Sequence, residues 1–220
     1  MASSLVQDTE LNAKVSPTYT EHYFDRHGRS GGPREVWTRN IQLGSGSFGT
    51  VWLEECRQLY RVGIPSLWAV KEIRIQAGSG QGLDYNRELE AFAKFSQPKF
   101  EPYFVRSYGW YRTDNAVFIT MAYCPLGDLQ QYLSRPVPEA EAGQITYQLL
   151  EGLGHMHDNG FAHHDLKPKE CSCRFSRARL ESTDNRFRDC QKVTRRSDLP
   201  VHHGTGYARL HGTGDDNPPT

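Results

Sequence analysis

The sequence predicts an α+β fold: five β-strands with one helix among them, followed by further helices. Three observations predict it. Apolar and β-branched runs bounded by turn residues fill residues 35–75 and 105–121. Between them, residues 85–95 place Tyr85, Leu89, Phe92, Ala93 and Phe95 at helical spacing. A second helical pattern covers residues 138–156, and no period is sustained from Cys171 onward.

Composition narrows the class. The chain has 220 residues, enough for one large domain or two small ones. Only 37% are apolar, and the mean hydropathy of −0.68 is low for a chain packed throughout, so part of it lies outside a core. Lysine plus arginine (26) balance aspartate plus glutamate (26), so no overall field favours a nucleic acid or a membrane surface. Five cysteines, an odd number, and no apolar N-terminal segment predict a reducing, intracellular setting, cytoplasmic or nuclear. No run reaches the length of a membrane span.

Residues 1–36 are polar and end in Ser30-Gly31-Gly32-Pro33. They read as a flexible leader. Residues 18–24 could add a strand or dock on the lobe, but linker is the expectation.

The densest signal follows in residues 37–124. I-Q-L-G-S-G-S-F-G-T-V-W-L-E-E sets Gly44, Gly46 and Gly49 in a G-x-G-x-x-G-x-V frame between apolar, β-branched flanks. Glycine lets a backbone turn sharply and approach a ligand with no Cβ in the way, and free N–H groups in such a turn can face phosphate oxygens. A dinucleotide site would require a helix after the glycines. Here Thr50-Val51-Trp52-Leu53 continues as a strand, so the glycines form the tip of a hairpin. The next strand holds A-V-K, ending on Lys71, an ammonium inside an apolar run. The plain alternative is a hairpin with a surface lysine.

This loop with its A-V-K strand resembles the N-lobe of eukaryotic-type protein kinases, whose glycine-rich loop covers ATP phosphates and whose strand lysine holds the α- and β-phosphates. The helix at 85–95, capped by Asp84 after the breaker cluster at 78–82 and stopped by Gln97-Pro98, corresponds to the helix the family calls αC. That helix supplies a glutamate to the lysine. Glu88 and Glu90 are the candidates; counting back from Pro98 favours Glu88, with Phe92 one turn on facing the core. The plain alternative for Glu88 is a solvated surface charge.

Strands at 105–112 and 116–121 flank a Thr113-Asp114-Asn115 turn, and I-T-M-A-Y-C-P-L-G-D-L resembles the family's hinge. The resemblance makes Met121 the gatekeeper, gives Ala122 and Cys124 backbone contacts to adenine, and directs Asp128 to the ribose. It assigns Val51 and Ala69 to sandwich the adenine and counts Leu43 among the nucleotide-binding residues. Ala122 stands where the family usually has an acid; the hinge bonds come from backbone. Leu126 to Leu133 predict a short helix. Pro138-Glu139-Ala140-Glu141 opens a long one, proline pre-set for the first turn and acids suiting the helix N-terminus. Ile145, Leu149, Leu150, Leu153 and Met156 form its apolar face, and Asn159-Gly160 ends it.

F-A-H-H-D-L-K-P-K-E, residues 161–170, resembles the catalytic loop H-R-D-L-K-P-x-N. The resemblance makes Asp165 the acceptor of the substrate hydroxyl proton and Lys167 the residue that steadies the transferring phosphate, in the serine/threonine form of the loop. His163 is a core-packing position. His164 replaces the arginine that receives activation-loop phosphate. Glu170 replaces the metal-binding asparagine, an oxygen ligand still, but longer and charged.

After Glu170 the resemblance stops. No D-F-G and no A-P-E follow, and residues 171–220 hold eight arginines and one lysine. Codons permitted for residues 170–192, read one base later, allow N-V-L-V-V-F-P-G-P-D-W-K-V-Q-I-T-D-F-G-I-A-K-R. That string restores the asparagine, an apolar strand and D-F-G in the family's order. The tail therefore reads as out-of-frame translation or a disordered segment. Cys171, Cys173, Cys190 and His202-His203 lack the usual zinc spacing, and the arginines lack the aromatic interleaving of a nucleic-acid face.

The resemblance covers about residues 37–169. It implies ATP-dependent phosphoryl transfer to a protein serine or threonine, with ATP and Mg²⁺ as cofactors, impaired here by an incomplete metal site. Three readings stay open: a damaged kinase, a truncated pseudokinase that binds nucleotide or partners without chemistry, and an unstable fragment. No nucleic-acid or membrane partner is expected, and neither the protein substrate nor the oligomeric state has a signature in these residues.

Overall fold

The computed structural model describes residues 4–24, 33–46, 49–58, 62–75 and 85–172. The expected Asp84 cap, the breaker cluster at 78–82, Ser47-Phe48 of the glycine frame and the tail from residue 173 lie outside the described residues.

Seven strands form one sheet: β1 (Asn12–Val15), β2 (Tyr19–Tyr23), β3 (Arg34–Gly46), β4 (Gly49–Cys56), β5 (Leu67–Arg74), β6 (Ser107–Arg112) and β7 (Ala116–Ala122). Their order is β1-β2-β3-β4-β5-β7-β6, and every neighbouring pair is antiparallel. Among the described residues four α-helices accompany them: α1 (Ser4–Gln7), α2 (Tyr85–Phe95), α3 (Leu129–Tyr132) and α4 (Glu139–Asp158).

The five expected strands are β3 to β7. Strands β1 and β2 correct the reading of residues 1–36 as a flexible leader. Thr20 and His22 alternate inward on β2 and meet rings from distant strands: His22 lies edge-on to Trp37, Trp68 and Tyr111. Those partners stand far along the chain, so a short polar run gave no local sign of burial. Glu10 forms a parallel bridge with Trp110, and Leu11 N–H donates to the Trp110 carbonyl at 2.7 Å. The first strand thus meets the last, and the sheet curls into a nearly closed barrel.

Period-2 alternation sorts the side chains of this sheet onto two faces. Trp68 and Val70 on β5, with Ala116 and Phe118 on β7, join Trp37, Cys56 and Tyr111 inside the barrel, where Trp37 and Trp68 stack 3.7 Å apart. Ala69 and Ile73 on β5 point the other way, with Val117, Ile119 and Met121 of β7, into a core shared with Leu89, Phe92 and Ala93 of α2. Lys71, between Ala69 and Ile73, must face this second side by the same alternation.

A charged cluster sits at the barrel wall. Glu54 is fully buried; its Oε1 accepts from Nε and Nη2 of Arg39 at 3.2 Å, while Arg39 lies over the Trp52 and Phe118 rings. Burial pushes the Glu54 carboxyl up to about 7, against the opposing pull of Arg39, with nearby Glu72 adding to the rise. The folded chain holds this proton to about pH 7, whereas the unfolded chain releases it near 4.5. The folded state therefore binds more protons in that window, and stability falls as pH rises through it. The fall is expected to be about 3 kcal/mol. Glu54→Gln is expected to flatten it, so that thermal melts at pH 5.5 and 8 differ less than in the unsubstituted chain.

The helical part is smaller. Asp128 caps α3, its Oδ1 accepting from Gln131 N–H at 2.9 Å, and Pro138 takes the N-cap of α4, one place before the first turn expected for it. Ile145 and Met156 of α4 are buried, and Leu149 and Leu153 are half-buried against neighbouring clusters. Leu150, expected on the same apolar face, is 61% exposed, because no described element packs against that side of α4. Among the described residues no helix is long and apolar enough to cross a membrane.

Candidate active site

The β3–β4 hairpin, the β7–α3 connection and the loop after α4 enclose a cleft of about 740 Å³. Each wall follows from local sequence. Gly49 sits at φ +123°, where a Cβ would fall 2.0 Å from the Glu72 carbonyl oxygen, so only glycine lets β4 cross β5 this closely. At Gly44 and Gly46 a Cβ would meet nothing within 4 Å. Those two leave open space over the cleft; Gly49 answers to its neighbour strand. Val51 pairs with Lys71 across the ladder, and Leu53 with Ala69, which puts Val51, Ala69 and Lys71 on one face, toward the cleft.

Lys71 is 6% exposed and Glu88 9%. Their side chains form a direct ion pair, Lys71 Nζ donating to Glu88 Oε1. Glu88 is thus the α2 glutamate that meets the strand lysine, and Glu90 is not. Two charges this buried are stable only as partners, since burying either alone is costly.

The remaining expected residues distribute around the same space. Leu43, Gly44, Gly46 and Gly49 roof it; Met121, Ala122 and Cys124 line its inner edge; Asp128 stands at the rim, its carboxylate already engaged in capping α3. Asp165 lines the opposite wall, held to Lys167 Nζ at 2.7 Å through Oδ2. Lys167 does not line the cleft itself but reaches it through that pair. The β lobe and the C-terminal loop therefore bring two charge pairs, Lys71–Glu88 and Asp165–Lys167, to one cavity. Val105, Lys169 and Ser172 line it as well. Nothing in their local sequence marks them; the fold alone brings them there.

The loop is fastened at both ends. His163 is buried, and its Nδ1 accepts from Asp165 N–H at 3.3 Å. Burial lowers its pKa, with the Glu170 and Asp165 carboxylates opposing. His163 is therefore neutral at pH 7, with the proton on Nε2 by elimination, and that nitrogen has no hydrogen-bond partner among the described residues. His164 adopts φ +61°, a left-handed geometry uncommon outside glycine that lets the chain turn sharply into Asp165. Beyond it, Leu129 N–H donates to the Cys171 carbonyl at 2.7 Å, and Cys171 packs with Leu129 and Ile145.

The family model of the protein kinase domain matches residues 37–180. The chain belongs to the protein kinase family. Among curated kinases it is 34% identical over 131 residues to serine/threonine-protein kinase ATG1a of Arabidopsis thaliana, covering 58% of this chain and 20% of that protein. It is 39% identical over 138 residues to serine/threonine-protein kinase dst4 of Dictyostelium discoideum, covering 61% and 26%. It is 29% identical over 150 residues to inactive tyrosine-protein kinase 7 of Homo sapiens, covering 63% and 14%. The chain thus spans about a quarter or less of these relatives. A crystal structure of Rad53 1–466 in complex with AMP-PNP superposes with a TM-score of 0.51 at 26% identity, covering 64% of this chain and 35% of that one.

The implied cofactors fare differently against this kinase's residues. The cleft suits a nucleotide: open backbone at Gly44 and Gly46, an apolar slot at Val51 and Ala69, and a buried ammonium at Lys71. The divalent-cation site is incomplete among the described residues. Glu170 occupies the asparagine position, no D-F-G follows in the sequence, and no three His, Cys, Asp or Glu side chains converge among the described residues.

Proposed function

We propose that this chain binds ATP in the cleft as a serine/threonine-type protein kinase does, with phosphoryl transfer to a protein hydroxyl impaired. The buried Lys71–Glu88 pair beneath the glycine hairpin carries the reading. An ammonium at such depth, with one carboxylate partner and a cavity on its open side, suits a polyanion better than water.

In this reading Val51 and Ala69 sandwich the adenine, and Ala122 and Cys124 bind its edge through backbone groups. Gly44 and Gly46 let the hairpin close over the phosphates, and Lys71, oriented by Glu88, contacts them. Leu43 and Met121 close the two ends of the adenine slot, and Asp128 reaches the ribose. Asp165 accepts the proton of the attacking hydroxyl, and Lys167 steadies the transferred group. Mg²⁺, when bound by a kinase, neutralises charge on the phosphates; here Glu170 stands in the asparagine position and the D-F-G aspartate is missing, so that contribution is reduced. Phosphoryl transfer depends on positioning and electrostatics, so a chain keeping Lys71 and Asp165 but lacking the metal carboxylate retains binding and loses rate.

Thermal melts with ATP test this. A nucleotide at about a hundred times its Kd stabilises by about 2.7 kcal/mol, a rise of several degrees in Tm for a domain of this size. We expect that rise with and without Mg²⁺. No shift at millimolar ATP overturns nucleotide binding. Transfer at rates ordinary for kinases, about 1–100 s⁻¹, overturns the impairment. The glutamate at 170 favours a second reading, a pseudokinase that binds nucleotide without catalysis, and zero turnover with an intact Tm shift selects it.

A further inference from the structure

We propose that residues 4–15 form a positioning strap that holds α2, and through it Glu88, over Lys71. Three observations on opposite sides of the strap agree.

The first is apolar. Val6 is 1% exposed and belongs to the same buried cluster as Leu89, Phe92 and Ala93 of α2, with Leu5 packed beside it. The chain inserts an N-terminal side chain into the core that seats the helix.

The second is polar and directional. Trp110 Nε1 donates to the Val6 carbonyl at 2.8 Å, Trp110 N–H to the Thr9 carbonyl at 3.1 Å, and Leu11 N–H to the Trp110 carbonyl at 2.7 Å. Thr9 Oγ1 in turn donates to the Val6 carbonyl at 2.9 Å, closing the end of α1. Three of these hydrogen bonds, all through Trp110, fix the strap's path along β6, and the fourth lies within the strap.

The third is steric. Gly109 lies at φ +137°, and a Cβ there would come within 2.7 Å of both Leu11 Cγ and the Thr9 carbonyl oxygen. β6 carries a glycine at the point where the strap passes over it.

The consequence lies in how α2 is held. Its C-terminal end is anchored by Phe95, which stacks on Phe104 and meets Phe100 and Phe161 edge-on. Toward its N-terminal half, where Glu88 sits, the anchors are the Lys71 pair and the cluster containing Val6. Removing the strap's side chains takes away one side of that cluster and leaves this half seated on the β5–β7 face and on the ion pair, the contact the proposed ATP site depends on. The effect on ATP rests on the function proposed above; the hold on α2 does not.

The test is hydrogen exchange on the full chain carrying Leu5→Ala and Val6→Ala. Amides of α2 are expected to exchange about tenfold faster, with β4 and β5 unchanged. Lys71 is expected to react faster with an amine-directed acylating reagent while β4 and β5 stay protected, a combination that a general loss of stability does not give. Adding a synthetic peptide of residues 4–15 is expected to restore α2 protection. Unchanged α2 exchange overturns the strap, and so does uniform acceleration across all strands. If the double variant melts below room temperature, Leu5→Ala alone gives the same comparison. A wild-type chain that shows no ATP shift sinks the nucleotide reading and leaves the exchange result to decide the strap.

Discussion

Replacing Lys71 by methionine is expected to destabilise the chain by about 3–4 kcal/mol and to abolish the ATP-dependent rise in Tm. The stability loss comes from Glu88. At 9% exposure, its carboxylate loses its partner without regaining water. Adding Glu88→Leu to Lys71→Met removes the stranded charge and is expected to recover most of the stability, since an apolar pair often replaces a buried ion pair at little cost. The double variant is not expected to recover the ATP shift. A cycle of Lys71→Met, Glu88→Leu and both, read by denaturant melts with and without ATP, separates the two roles. Recovery of both stability and ATP response would show that the lysine has no part in binding.

The second large effect concerns the residues after the catalytic loop. The chain as it stands is expected to transfer phosphate at least about a thousandfold more slowly than one translated through the shifted frame, because metal electrostatics supply most of the acceleration in this reaction class. Sequencing the transcript between the codons for Asp165 and Lys192 is the direct check. A one-base slip that restores N-V-L-V…D-F-G is the expected result. An intact frame assigns the tail to the protein and turns attention to what a kinase lobe without its metal loop binds. Glu170→Asn alone is not expected to raise activity, since it supplies one ligand of a set whose other member, the D-F-G aspartate, is absent from the sequence.

Several elements were legible because their causes are local. The glycine frame, the A-V-K strand and the catalytic-loop string occupy contiguous positions, and hairpins and helix α4 carry their own period and end signals. The same holds for Ala69 and Lys71: alternation in one strand puts both on one face, and that face is the cleft.

Other elements depend on partners remote in sequence. Residues 19–23 contain one histidine, one glutamate, one threonine and two tyrosines, a composition with no apolar stripe, yet they form a central part of the barrel. What buries them is Trp37, Trp68 and Tyr111, contributed by three other strands. Leu150 fails in the opposite direction: its helical spacing predicts a buried face, but burial requires a second surface, and no described element supplies one. Val105 and Ser172 reach the cleft only because chain segments 67 residues apart converge there.

The sequence by itself determined the family and the candidate site residues: a glycine hairpin, a strand lysine, a helix glutamate and a loop aspartate, each set by contiguous residues and short-range geometry. Only the tertiary structure decided that the N-terminal residues close the sheet into a barrel and brace α2. Strand pairing and core packing join residues a hundred positions apart, and their energy resides in the contact, which neither partner's local sequence records.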